Sequence, residues 1–66
     1  MSIVKVIEVV AEGKSVEHAV ESAVKEASRT VKDIQQVYVE HFYAVVENNK
    51  IKKYRVNAKI SFIIHH

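Results

Sequence analysis

Sixty-six residues, 48% of them hydrophobic, with one glycine, no proline and no low-complexity tract, describe a single folded domain spanning residues 1–66 and exclude a disordered chain. A domain this small buries only ~60% of the surface its unfolded chain exposes, and with no cysteine and four scattered histidines neither disulfides nor a structural zinc can brace it, which leaves self-association. The net charge of +2, with the signs interspersed, argues against a nucleic-acid partner.

The first element is the Val- and Ile-rich run Ile3 to Val10, closed by Gly13 and read as a strand buried on much of both faces. Lys5 and Glu8 inside it argue against a secretory signal or a membrane span, so the expected location is cytoplasmic. Ser15 then stands as an N-cap, with Glu17 suiting the positive end of the dipole. Val16, Ala19, Val20, Ala23, Val24, Ala27 and Val31 follow helical spacing, so one stripe is apolar. Its small side chains allow close approach to a twisted sheet.

From Ile34 the period becomes two and holds to Glu47; a second such run goes from Ile51 to Ile64, and Asn48-Asn49 marks a tight turn because asparagine tolerates positive φ. A two-residue loop sets Glu47 opposite Lys50. Counting back pairs Tyr43 with Tyr54, His41 with Val56, Val39 with Ala58 and Val37 with Ile60 on an apolar face. The other face pairs Phe42 with Arg55, Glu40 with Asn57, Tyr38 with Lys59 and Gln36 with Ser61. The fold class is therefore α+β, in the order β-α-β-β, with a three-stranded antiparallel sheet wrapped around one helix. Tyr38 and Phe42, both outward in this register, mark an interface between copies or a ligand site.

These segments resemble the dodecins. "KVIEVV" (Lys5 to Val10) is similar to the family's opening strand, "SVEHAVESAVKEASRTVKDI" (Ser15 to Ile34) to its helix, and "YRVNAKISF" (Tyr54 to Phe62) to its closing strand. The resemblance implies a hollow homododecamer that binds and stores a small-molecule ligand, typically a flavin such as FMN or riboflavin; a ligand-free structural assembly is an alternative. It also implies a site in which tryptophans from neighbouring subunits sandwich the flavin rings. Gln36 stands at the tryptophan position, two residues beyond Ile34, and Arg55 at that of a glutamine touching the ring edge.

Loss of a stacking platform costs ~1–3 kcal/mol per base in nucleic-acid systems, so flavin affinity should fall at least about tenfold. Tyr38 offers a substitute ring. Arg55 can stack on a ring or pair with phosphate, which favours a phosphorylated flavin. Some dodecins without the tryptophan are regarded as calcium-binding and also carry arginine after the tyrosine, as Tyr54-Arg55 does. Glu8, Glu12, Glu40 and Glu47 are the carboxylates available to calcium, although no EF-hand-type loop is present.

No P-loop, nucleophile elbow, H-E-x-x-H or dinucleotide fingerprint occurs, and no region is large enough for a catalytic domain, so the chain is not expected to be an enzyme. His18 reads as solvent-facing and His41 as a hydrogen-bonded residue on the apolar face, while His65 and His66 carry no assigned role. The basic stretch Lys50 to Arg55 reads as a solubilising strand face in preference to a phosphate-backbone contact.

Overall fold

A computed structural model describes residues 2–65. Strand β1 (Ser2–Gly13) leads to helix α1 (Val16–Ala27), which is followed by β2 (Ile34–Glu47) and β3 (Lys50–His65). The sheet is antiparallel in the order β1-β3-β2, so the closing strand lies in the middle and both earlier strands are edges. This is the β-α-β-β arrangement the periodicities predict, but β1 is not buried on both faces. β1 alternates: Ile7, Val9 and Ala11 pack against the core, whereas Val4, Val6 and Val10 are exposed.

Ser15 caps α1 as expected, its Oγ accepting from the His18 backbone N–H at 3.0 Å. The helix ends at Ala27, a turn earlier than the stripe to Val31 suggests. Val31 N–H still reaches the Ala27 carbonyl at 3.0 Å, but Ser28 caps the helix and Ser28–Thr30 close it as a turn. Ala19, Ala23 and Ala27 form one buried row, and these short side chains let the helix backbone approach Val56, Ala58 and Ile60 of β3. The same closeness accounts for the single glycine. A Cβ at Gly13 would stand 2.6 Å from the backbone nitrogen of Ala19, at the first turn of α1.

Asn48 and Asn49 have φ of 54° and 62°, the paired positive values of a two-residue hairpin turn. The register beside it departs from an unbroken count. Glu47 pairs with Lys50, and Val39 with Ala58, as predicted, but one unpaired residue on each strand, Lys52 on β3 and Glu40 on β2, shifts the stretch between them by one position. Tyr43 therefore lies opposite Arg55, Phe42 opposite Val56 and His41 opposite Asn57. Two expectations are corrected by this. Phe42 shares the helix side of the sheet and does not face outward with Tyr38, and His41 is on the outer face, not the apolar one.

The reason is sorting by polarity. An unbroken ladder would turn Lys52 and His41 toward the helix side. The two bulges turn Phe42 and Ala44 there instead and leave His41, Tyr43 and Lys53 outside. A third bulge, at Gln35, separates the adjacent glutamines: Gln35 donates through Nε2 to the Asp33 carbonyl at 3.2 Å, whereas Gln36 enters the ladder opposite Ser61.

The hairpin runs past the end of the helix. Phe42, Val46 and Ile51 are 65, 60 and 59% exposed, and the chain measures 52 Å along its longest axis. Its radius of gyration is 13.7 Å, against about 11 Å for a compact domain of this length.

Candidate functional site

The outer sheet face is built from rungs that cross all three strands, because β3 pairs with β1 and β2 at once. Val6, Ser61 and Gln36 form one rung; Glu8, Lys59 and Tyr38 the next; then Val10, Asn57 and His41; then Glu12, Arg55 and Tyr43. Successive rungs are about 6.6 Å apart, two residues along a strand. Gln36 and Tyr38 are thus neighbours. Arg55 lies three rungs from Gln36, about 20 Å, and two from Tyr38, about 13 Å, so one protomer does not bring Gln36, Tyr38 and Arg55 together.

Electrostatics occupy two of the rungs. Lys59 Nζ lies 3.8 Å from Glu8 and 3.7 Å from Glu40, which stays on the outer side as an unpaired residue. At the far rung, Glu12 accepts from Lys53 Nζ at 3.0 Å through Oε1 and from Arg55 Nε at 2.7 Å through Oε2. Arg55 also donates through Nη1 to the Tyr43 hydroxyl at 3.4 Å and lies 5.6 Å from that ring's centroid. Hydrogen bonds from Lys53 and then Arg55 hold the Glu12 carboxyl below the usual carboxylate range, while Tyr43 and Glu12 push Arg55 still further up. Nothing in the sequence pattern joins Glu12 to Arg55 across 43 positions; the β1–β3 register does.

The residues present fit a planar ring ligand in part. Tyr38 is 60% exposed and offers an aromatic face, but Gln36 beside it offers none, and the Arg55 guanidinium is engaged by Glu12 and Tyr43. A groove of about 540 Å³ between α1 and β1, lined by Ile7, Val9, Ala11, Ala23 and Ala27, includes none of these site residues. Calcium fits less well. Glu8 and Glu40 face Lys59, Glu12 faces Lys53 and Arg55, and Glu47 accepts from Lys52 at 2.9 Å. Among the described residues no three carboxylate or histidine side chains are grouped so as to hold a metal ion.

Of the other residues singled out in the sequence, His18 is exposed and contributes its backbone N–H to the cap, and His65 Nε2 stands 3.2 Å from Asp33 Oδ2. His66 lies outside the described residues. Within Lys50–Arg55, Lys52, Lys53 and Arg55 are each tied to a carboxylate of this chain, which lowers their value to a phosphate backbone. No helix among the described residues is long and apolar enough to cross a membrane.

Comparison with known proteins gives one family. The dodecin family model matches residues 3–65. Among solved structures, a dodecin from Streptomyces coelicolor superposes with a TM-score of 0.92 at 26% identity, covering 98% of this chain and 94% of that one. The tt0972 protein from Thermus thermophilus gives 0.92 at 19% identity over 100% of this chain and 98% of that one. A dodecin from Streptomyces davaonensis gives 0.91 at 18%, covering 98% and 97%. No curated protein matches the chain.

Proposed function

Because this chain belongs to the dodecin family, we propose that it is a self-assembling small-ligand binding protein, a homododecamer that stores a planar ring ligand of the flavin class at an altered site between subunits. It is not an enzyme in this reading. The observation that carries the proposal is where the site residues lie. Gln36 and Tyr38 sit on an exposed sheet face outside the protomer's own groove, with Arg55 about 20 Å from Gln36 and about 13 Å from Tyr38, so a pocket exists only where a second sheet face covers them.

Surface area supports the assembly. The protomer exposes 5113 Å², whereas a compact monomer of 7.5 kDa exposes about 4,200 Å². That excess is close to the ~800 Å² each partner contributes to a standard interface. Core residues are few: among the described residues Ala19, Ala23, Ala27, Val56, Ala58 and Ile60 are the buried apolar side chains, and none of them is aromatic.

Within the site, Tyr38 supplies the stacking face and Gln36 a hydrogen-bonding amide where a second aromatic face would bind more tightly. Affinity for a flavin is accordingly at least about tenfold below that of a tryptophan-lined site. Calcium is the second reading, and it requires Glu8, Glu12, Glu40 or Glu47 to leave the cations that now face them.

The test combines the absorption spectrum of freshly purified protein with its mass in solution, followed by flavin fluorescence quenching by the Gln36→Trp variant. The proposal expects about twelve subunits and a gain of at least tenfold in riboflavin affinity for the variant. A monomeric mass overturns the assembly, and an unchanged affinity in an assembled variant overturns the site. A colourless preparation carrying a divalent metal transfers the case to calcium.

A further inference from the structure

We propose that Lys53, Arg55 and Tyr43 form an oxyanion cradle that Glu12 fills from within the same chain, so that this protein discriminates against phosphorylated ring ligands. The inference rests on the ring-binding reading above for its ligand, but not for its geometry. Arg55 Nη2 approaches Glu12 Oε2 at 2.6 Å and its Nε the same oxygen at 2.7 Å, while Lys53 takes Oε1 at 3.0 Å. Two cations from β3 thus converge on one carboxylate from β1, and the Tyr43 hydroxyl on β2 accepts from Arg55 and steadies the guanidinium. A guanidinium fork beside an ammonium is the donor set that binds a phosphate monoester, and here its leading donors are already used.

Glu12 is held in place by its strand. The β1–β3 ladder runs through Glu12 opposite Arg55 to Gly13 opposite Tyr54, so the end of β1 is held by its pairing and keeps the carboxylate beside Arg55. An outside phosphate must therefore displace a tethered anion, whose effective concentration is in the millimolar range or above. The cradle is nonetheless open, with Lys53 and Arg55 side chains 33% exposed and Glu12 42%. Arg55 alone suggests a preference for FMN over riboflavin; Glu12 cancels it.

Two titrations on the assembled protein test this. In the first, fluorescence quenching compares FMN with riboflavin. Wild type should bind both within about threefold, and Glu12→Gln should raise the FMN preference at least about tenfold, a gain that Arg55→Gln added to it removes and that high salt screens. In the second, calorimetry with inorganic phosphate alone should show Glu12→Gln binding at least about tenfold tighter than wild type, and Arg55→Gln added to it should remove the gain. A strong FMN preference in wild type that Arg55→Gln abolishes, or equal phosphate affinity in wild type and Glu12→Gln, overturns the cradle. If neither flavin binds any variant, the flavin reading falls and the phosphate titration alone decides. If Glu12→Gln does not assemble, the Arg55→Gln comparison in the wild-type background decides.

Discussion

Gly13 is the residue whose identity the packing leaves least freedom to change. Its φ is not positive, so backbone conformation does not demand glycine; proximity does, because a Cβ would meet main-chain atoms of Ala19 and His18 that cannot rotate aside. Gly13→Ala is expected to cost ~1–3 kcal/mol by overpacking, read as a lower midpoint in chemical denaturation, and an unchanged midpoint would mean that β1 and α1 are further apart. The sequence marks Gly13 only as the end of a strand. Ser15 is different, since a cap is a local arrangement that a single residue type announces. Asp33, with φ of 59°, lies between: it sits where the chain turns from helix to strand, yet its ties to Ile63 N–H at 3.2 Å and to Gln35 involve partners a linear reading does not supply.

Among the elements, the hairpin shows what periodicity can and cannot reveal. Alternation predicts two long strands, and the Asn48-Asn49 pair predicts their turn, because both depend on neighbours in sequence. Asn49→Val should destabilise the fold by ~1–2 kcal/mol, since a β-branched residue must adopt the left-handed conformation there, whereas Asn49→Gly should not; thermal melting of the two variants separates them, and equal melts would contradict the turn. The faces of residues 41–45 were not legible. A bulge breaks alternation at one residue, Glu40 sharing the outer face with His41, and the polarity pattern around it carries no mark of the break, so Phe42 and His41 exchange the sides that an unbroken count assigns. In the helix, the apolar stripe predicts the buried alanines but runs on to Val31, because spacing does not register the cap at Ser28.

At the scale of the whole molecule, the exposed arm dominates. Phe42, Val46 and Ile51 lie on the same side of the sheet as the core, beyond the reach of α1, so covering them requires another copy of the chain in the reading proposed above. Phe42→Asp should then release smaller species, detected by light scattering, while circular dichroism stays native. An undiminished mass would remove this side of the arm from the interface. Tyr38 and Gln36 were legible as an outward pair because no bulge intervenes between them. The link from Arg55 to Glu12 was not, since it arises from a ladder between the first and last strands.

Glu40 and Lys52 have one more consequence. Each stands outside the pairing, so a chain that had dropped both would keep every ladder pair described here, losing only the Glu40–Lys59 and Lys52–Glu47 contacts, while being two amino acids shorter. Strand length in this arm can drift while its surfaces stay put. Numerical position is a poor ruler there, and two such proteins brought into line without gaps would assign a whole patch of side chains to the wrong side.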